Sequence, residues 1–470
     1  MASGYAAQPL GTACAATAAP ATTTASVSAL AAGLAPVAAL ISVADAASTA
    51  ALPCPLRLPI LLLAMTSTRL TFTPLKIGPI TLRNRTIRAA AFEGMCPGNK
   101  PSESLIDYHR SVAAGGIGMT TVAYAAVSKE GLTFDHQLLM GPEVVAGLRK
   151  LTDAVHREGA AAAIQIGHAG FMSDSRVIGT RPVAPSRVFN LYGLVVPKAM
   201  SAADIEATVE AFGRAAHLCA EAGFDAVEVQ AGHGYLISQF LSPYTNRRKD
   251  GWGGSLEGRT RFLRQVMRAV RKAVGGRLAI IVKTNLSDGF PGGLTNAECA
   301  RVAQILEEEG ADGLVLSGGF VNRCPFYMMR GEVPMRELLR RQRSLVNRVG
   351  LALLGRILVT RFPFTEAFFL EEARAVRQAV KLPLVLVGGL RSLATFESVL
   401  SEGFDGVAMA RPLFMEPDFV RKLERGEAER SRCLPCNECV ATMYTGEAVC
   451  LPSVEGREPR GSATLCHPSR

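Results

Sequence analysis

The feature that most constrains the fold is an alternation of strand-like and helix-like segments that begins at Thr86. Short apolar and β-branched runs are separated by stretches with apolar residues at three- and four-residue spacing, which predicts parallel strands joined by right-handed crossovers. Eight such units are the number found in a (β/α)8 barrel, whereas a doubly wound sheet does not need eight. The predicted strands are Thr86–Phe92, Met119–Val127, Ala161–His168, Ala226–His233, Ala279–Asn285, Gly313–Gly319, Leu384–Leu390 and Gly406–Pro412.

The sixth of these units is longer than the others. It runs from Phe320 to Lys381 and contains enough sequence for two helices, so we expect an extension on the barrel rim. The predicted fold is therefore α/β, a TIM barrel over residues 65–430, followed by a cysteine-rich extension over residues 431–470. The clearest helical stretches are Pro142–Glu158, Ala202–Ala222, Leu256–Val274 and Asn296–Glu309.

The charge balance argues against a nucleic-acid-binding protein. The chain has 51 Lys and Arg against 41 Asp and Glu over 470 residues, a smaller excess than nucleic-acid binders concentrate on one face. The densest basic stretch, Arg336 to Arg348, predicts the solvated face of an amphipathic helix. We expect a small-molecule substrate, with neither nucleic acid nor stable membrane association; the pattern does not address the oligomeric state.

The first 64 residues are not expected to belong to the fold. They are rich in Ala, Ser, Thr and Pro, with Asp45 as the only acidic and Arg57 as the only basic residue. This composition predicts a targeting or disordered segment, first of all a transit peptide for a chloroplast or mitochondrion. A signal anchor over Val27–Val43 is the second interpretation. The third is translation from Met65, and without a transit peptide the protein would be cytoplasmic.

Active sites of such barrels lie at the C-terminal ends of the strands. The last three predicted strands end in Gly319, in Gly388 and Gly389, and in Ala410 and Arg411. Glycine lets backbone N–H groups approach an anion, and arginine adds a forked positive charge, so these ends predict a phosphate site. The alternative is that the two consecutive glycines only permit a tight turn.

Polar residues also end the central strands. Gln165 can both donate to and accept from a flat heterocycle. Lys283 is the only cation among the central strand ends; it could bind an anionic group, form a structural salt bridge, or act as the Schiff-base lysine of a lyase. Gln230 and His233 can donate to a substrate oxygen, while the phenol of Tyr235 can supply a proton.

These residues together resemble the Old Yellow Enzyme group of FMN-dependent NAD(P)H:flavin oxidoreductases, especially its bacterial-type and dienoyl-CoA-reductase-like branches. The resemblance covers most of residues 70 to 452. Its motifs are Phe72–Gly78, Leu82–Arg85, His168–Gly170, His233–Leu236, Gln239–Pro243, Asn246–Arg248, Gly253–Ser255, Arg259 and Arg411–Leu413.

The resemblance implies a barrel that binds FMN, takes hydride from NAD(P)H and reduces the activated C=C bond of α,β-unsaturated carbonyl compounds. It assigns Tyr235 as the proton donor, and Gln230 with His233 as the pair that holds the substrate carbonyl. The residues that would contact FMN are Ala90, Ala91, Phe92, Tyr124, Gln165, Lys283, Gly319, Gly388, Gly389, Ala410 and Arg411.

Two residues depart from the pattern of the family. Gln230 replaces a usual histidine, and Phe92 stands where many members have a side chain that donates to flavin O4. Two other functions therefore stay open. One is a Schiff-base lyase that uses Lys283, and the other is a flavin-binding redox sensor without turnover.

Four of the eleven cysteines lie close together after the barrel. Cys433, Cys436, Cys439 and Cys450 have the compact spacing of a metal–thiolate site, which suits [4Fe-4S] or zinc. The iron–sulfur branch of the family has a similar cluster with an asparagine at the position of Asn437. A remnant without metal is the alternative.

Overall fold

The described residues form a closed barrel of eight parallel strands, which confirms the predicted TIM barrel. In this computed structural model, residues 69–190, 193–342 and 345–456 are described. The strands are β1 (Thr86–Arg88), β2 (Met119–Ala126), β3 (Ala161–Gly167), β4 (Ala226–Gln230), β5 (Ala279–Asn285), β6 (Gly313–Ser317), β7 (Leu384–Val387) and β8 (Gly406–Met409). They pair in chain order, β8 pairs with β1, and the circle is complete.

Helices connect consecutive strands around the outside of the barrel. The helix Leu256–Val274 has the predicted bounds, because Ser255 caps it by accepting from the N–H of Gly258 and Gly275 ends it at a φ of 57°. The connecting helices are α1 (Glu103–Ala114), α2 (Val145–Arg157), α3 (Ala202–Glu221), α4 (Leu256–Val274), α5 (Asn296–Glu308), α6 (Leu370–Ala379) and α7 (Leu393–Ser401).

Every strand except β5 ends earlier than predicted. The chain leaves the sheet at residues with positive φ, which a strand cannot contain: His233 at 64°, Gly319 at 94°, Gly388 at 122° and Gly389 at 72°. These residues shape loops at the barrel mouth. The apolar runs continue past the true strand ends because the loop residues are also buried against the core.

The sixth unit carries the predicted extension. Met335–Arg341 and Leu345–Leu358 are helical and precede the crossover helix α6. The basic stretch that predicts one helix therefore lies on two, and residues 343–344 between them are outside the described chain. In the second of these helices, Leu345 and Val349 are exposed.

Short elements complete the described chain. The strands are Leu75–Ile77 with Ile80–Leu82, and Val183–Ala184 with Lys198–Ala199; the 3-10 turns are Leu70–Phe72, Pro97–Asn99, Lys129–Gly131, Pro142–Val144, Gly170–Met172 and Pro325–Tyr327. The remaining helices are Ser175–Ile178, Leu236–Leu241, Arg411–Met415, Phe419–Glu424, Glu438–Thr442 and Leu451–Val454.

The hairpin at the start of the fold lies at the N-terminal end of the barrel. Its residues Leu75 and Ile77 pack with inward-facing residues of the strands, including Met119 and Val315. Gly313 and Gly406 begin their strands beside Ile77 and Leu75, where a Cβ atom would lie 3.2 and 3.1 Å from those side chains. The hairpin therefore occupies the end of the barrel opposite the polar strand ends.

The expectations for the N-terminal segment concern residues outside the described chain. Residues 1–68 and 457–470 are not described, so the transit peptide, the signal anchor and the cellular location stay predictions. No helix within the described ranges is long and apolar enough to cross a membrane.

Candidate active site

A buried carboxylate joins two of the predicted strand-end residues. The Nζ atom of Lys283 lies 2.9 Å from Oε1 of Glu228, and both side chains are 2% exposed. The same oxygen accepts a 2.6 Å hydrogen bond from Nε2 of Gln165. Gln165 of β3 is in register with Glu228 of β4, and Lys283 of β5 stands two positions beyond the partner of Glu228, Ile281. Lys283 thus forms the salt bridge that was one of its predicted alternatives.

Glu228 is the residue that sequence reasoning missed. The signal was present, since a carboxylate in the middle of a buried strand is rare unless it is paired. Its partner could not be read from the sequence because strand neighbours are far apart along the chain. By accepting from Gln165, Glu228 leaves the amide oxygen of Gln165 as the acceptor for a ligand.

Two buried side chains, Arg88 and Lys283, hold the loop after β1 in place. Arg88 is fully buried, forms a 2.6 Å ion pair with Glu93, and donates to the carbonyl oxygen of Ala91 at 2.9 Å. Lys283 donates to the carbonyl oxygen of Ala90 at 3.2 Å. The half-buried segment Ala90–Phe92 is therefore fixed beside Lys283, where a planar cofactor would lie across it.

One polar group is formed by Gln230 at the end of β4, His233 in the loop that follows, and Ser317 at the end of β6. Nε2 of Gln230 lies 3.2 Å from Nδ1 of His233, and Nε2 of His233 lies 2.7 Å from Oγ of Ser317. An amide nitrogen only donates, so Nδ1 of His233 accepts and its proton resides on Nε2. Gln230 thus donates to His233, and His233 donates to Ser317. The role of the pair in holding a substrate carbonyl stays a prediction.

Tyr235 packs edge-on against Tyr124, with ring centroids 5.1 Å apart. Burial raises the pKa of Tyr235 to about 12. Burial, assisted by the positive charge of Lys283, lowers the pKa of His233 to about 3. At neutral pH the site therefore contains a protonated phenol and a neutral imidazole, a proton donor and a hydrogen-bond donor.

His168 has a structural role. Its Nδ1 accepts a 2.9 Å hydrogen bond from the N–H of Gly170, and burial lowers its pKa to about 4. It is a hydrogen-bonded, buried histidine at the end of β3.

The buried state of His168 predicts a pH-dependent stability. Between pH 7 and 5 the unfolded chain, with a pKa near 6.5, binds a proton that the folded chain excludes, so stability falls as pH falls. The variant His168→Asn keeps an acceptor for the N–H of Gly170. When the pH is lowered from 7 to 5, we expect the unfolding free energy of this variant to fall by about 2 kcal/mol less than that of the unchanged protein. Urea unfolding at both pH values with saturating FMN measures the difference.

His156 is the control for this prediction. Its hydrogen bond to Asp225 raises its pKa, so its contribution is present at low pH and is lost as pH rises through the folded pKa. His156→Asn should therefore change the slope in the opposite direction. Equal slopes for His168→Asn and the unchanged protein would contradict the assignment.

Comparison with known proteins decides the family. Residues 70–322 match the model of the NADH:flavin oxidoreductase / NADH oxidase family. The chain belongs to this family. It is 44% identical over 376 residues to the 4,4'-dithiodibutanoate disulfide reductase of Rhodococcus erythropolis, covering 80% of this chain and 93% of that protein.

Other relatives of this flavin oxidoreductase are longer or more distant. A metal reductase of Desulforamulus reducens is 33% identical over 84% of this chain, which spans 55% of that protein. A 2-naphthoyl-CoA reductase structure superposes with a TM-score of 0.70 at 25% identity, covering 82% of this chain and 57% of that one. The Old Yellow Enzyme homologue of Zymomonas mobilis, at 24% identity, has a TM-score of 0.61 over 78% of this chain and 95% of that one, and shares the fold.

The protein is thus an FMN-dependent NAD(P)H flavin oxidoreductase of the Old Yellow Enzyme group. Its barrel mouth fits FMN: Gln165 offers an amide oxygen, Lys283 offers a cation, and the loop Ala90–Phe92 lies beside them. The lyase alternative loses support, because Nζ of Lys283 is held by Glu228 and by the carbonyl oxygen of Ala90.

The strand ends that are predicted to bind phosphate contain two closely packed glycines, Gly388 and Gly389. A Cβ atom on Gly389 would lie 2.5 Å from the carbonyl oxygen of Thr365, and one on Gly388 would lie 2.8 Å from the ring of Phe369. This packing supports the tight-turn interpretation without excluding a phosphate. The N–H of Gly319 donates to the carbonyl oxygen of Ser287 at 2.8 Å, so it is already used.

Arg411 connects the barrel to the cysteine-rich extension. It donates to the carbonyl oxygen of Arg330 at 3.3 Å and to the side-chain oxygen of Asn437. Asn437 in turn donates to the carbonyl oxygens of Met329 and Glu332 at 2.7 and 2.8 Å. The roles of Gly319, Ala410 and Arg411 in FMN binding stay predictions.

The four C-terminal cysteines converge, as their spacing predicts. Cys433, Cys436, Cys439 and Cys450 line one cavity together with Arg411. Burial raises the pKa of Cys439 to about 12, and also raises the pKa of Cys433. Among the described residues, no group of three or more His, Cys, Asp or Glu side chains is placed to hold a single metal ion.

Proposed function

We propose that this flavin oxidoreductase reduces the activated C=C bond of α,β-unsaturated carbonyl compounds. The observations that carry the proposal are the buried, protonated phenol of Tyr235 and the hydrogen-bonded pair Gln230 and His233, which precedes it in the same strand-end segment. When bound, FMN carries hydride from NAD(P)H to the acceptor. The side chains of the site supply what hydride transfer to an alkene still requires, namely polarisation of the carbonyl and a proton for carbon.

The roles of the three residues follow from their protonation. The neutral His233 donates from Nε2, now directed to Ser317 at 2.7 Å, and can turn this N–H to a substrate carbonyl in its place. Gln230 donates from its amide. The β-carbon gains hydride while the α-carbon gains the proton of Tyr235, so that NAD(P)H is oxidised by two electrons and the C=C bond becomes a single bond.

Disulfide reduction is the second candidate, supported by the 44% identity to the 4,4'-dithiodibutanoate disulfide reductase. Transfer of a hydride, which carries two electrons, breaks the S–S bond of the disulfide and gives a thiol and a thiolate. A thiolate is a stable product near neutral pH, so this reaction does not need a proton delivered to carbon. The two candidates therefore differ in their need for Tyr235.

Half-reactions separate these candidates. Holoenzyme is reduced anaerobically with NADPH, then mixed with cyclohexenone or with 4,4'-dithiodibutanoate, and the return of the oxidised flavin absorption is followed. The proposal expects rapid reoxidation by cyclohexenone. Reoxidation by the disulfide alone would overturn it in favour of the second candidate, and reoxidation by neither would favour the redox sensor.

We also propose that Cys433, Cys436, Cys439 and Cys450 hold a [4Fe-4S] cluster. Their shared cavity supports this, because a four-iron cluster is larger than a single ion and its ligands stand farther apart. Protein purified anaerobically should contain about four iron and four sulfide per chain, and Cys436→Ser should lower both. Stoichiometric zinc, or no metal at all, would contradict the proposal.

A further inference from the structure

A group of partly buried aromatic rings lies beside Tyr124. The rings of Phe92 and Phe134 are stacked, with centroids 4.8 Å apart and planes at 20°. His136 lies 5.6 Å from Phe92 and 5.4 Å from Phe134, and Tyr444 meets Phe134 edge-on at 5.9 Å. We call Phe92, Phe134, His136 and Tyr444 the aromatic surface. All four side chains remain partly exposed to solvent.

The aromatic surface is continuous with the proton donor. Phe92 contacts Tyr124 at a centroid distance of 5.8 Å, and Tyr124 contacts Tyr235 at 5.1 Å. The phenol of Tyr444 also lies close enough to Tyr235 to raise its pKa, after the larger effect of burial. A substituent of the acceptor that binds on this surface would therefore lie close to the carbon atom that Tyr235 protonates.

Tyr444 comes from the cysteine-rich extension and is held firmly. The carbonyl oxygen of Met443 lies 3.0 Å from Nε2 of His136. On the other side, Arg341 donates to Thr445 at 3.0 Å, and the N–H of Ala448 donates to the carbonyl oxygen of Glu93 at 2.6 Å. The extension thus places Tyr444 against the loop that contains Phe92.

We propose that the aromatic surface binds a flat ring substituent of the acceptor, so that the preferred acceptors carry an aromatic or extended conjugated group next to the reducible bond. This inference rests on the proposed function and adds the substrate class. Exposed apolar rings grouped beside a reactive residue mark a ligand surface. Stacked and edge-on ring contacts favour another aromatic ring over a saturated ring of equal size.

The test uses two ketones that the enzyme cannot reduce at a C=C bond. Binding of benzylacetone and of its cyclohexyl counterpart to the oxidised holoenzyme is measured by calorimetry. The cyclohexyl compound is the more hydrophobic, so hydrophobicity alone predicts that it binds more tightly. The aromatic surface predicts the reverse, with benzylacetone binding about two- to ten-fold more tightly.

Variants assign the preference to particular rings. Tyr444→Leu and, independently, Phe134→Leu should bring the ratio of the two dissociation constants close to one. Tyr444→Phe keeps the ring and should keep the ratio, which makes it the matched control. A wild-type ratio that favours the cyclohexyl compound, or a ratio unchanged in both leucine variants, would overturn the inference.

Failure of the proposed function gives a different result. If the holoenzyme prefers benzylacetone but is not reoxidised by cyclohexenone, ring binding by the aromatic surface is supported and alkene reduction is contradicted. If cyclohexenone reoxidises the enzyme but the ring preference is absent, alkene reduction is supported and ring binding by the aromatic surface is contradicted.

Discussion

Replacing Tyr235 by phenylalanine is expected to slow alkene reduction by about 10²- to 10⁴-fold, the usual contribution of a positioned general acid. The variant keeps the ring that packs 5.1 Å from Tyr124, so the shape of the site changes little. It loses the phenol whose pKa of about 12 keeps it protonated at neutral pH. Reduction of FMN by NADPH does not require this proton and should stay within a few-fold of normal.

The measurement is the reoxidation rate of reduced holoenzyme in a stopped-flow instrument, with cyclohexenone and 4,4'-dithiodibutanoate as separate acceptors. Tyr327→Phe is the control, because its buried hydroxyl donates to Glu372 at 2.6 Å. It should leave both rates nearly unchanged. If Tyr235→Phe reduces alkenes at the normal rate, Tyr235 is not the proton donor and the proposed mechanism is wrong.

Replacing Glu228 by glutamine is expected to lower the free energy of unfolding by about 3–5 kcal/mol, the cost of leaving one member of a buried ion pair unpaired. Lys283, at a position that is 2% exposed, would lose its 2.9 Å partner. The same change should raise the midpoint potential of bound FMN, since an uncompensated positive charge stabilises the more negative reduced form.

Denaturant unfolding with saturating FMN and a redox titration measure the two effects. Glu308→Gln is the control: Glu308 is 46% exposed and pairs with Arg301 at 2.9 Å and with Arg264 at 3.1 Å. Such a pair is worth less than about 1 kcal/mol. The double variant Glu228→Gln, Lys283→Met should recover part of the lost stability. Equal losses for Glu228→Gln and Glu308→Gln would contradict the buried pair.

Several candidate site residues carry a local signal in the sequence. Gln230, His233 and Tyr235 follow one strand within a few positions, so their proximity does not depend on distant contacts. The boundaries of β4, β6 and β7 could not be predicted as well, because apolar sequence continues into buried loops while positive φ values end the strands. The roles of Gly388 and Gly389 were equally ambiguous, since packing and ligand binding both require glycine.

The sequence by itself determined the barrel and the family, because strand and helix periodicity and the motifs at the strand ends are properties of short segments. The tertiary structure alone decided which side chains meet. Glu228 joins Gln165 and Lys283 across three strands, and Tyr444 of the extension reaches Phe134 and the surroundings of Tyr235. Contacts between residues far apart in the chain leave no periodic pattern in the sequence, so they can be identified only in the folded structure.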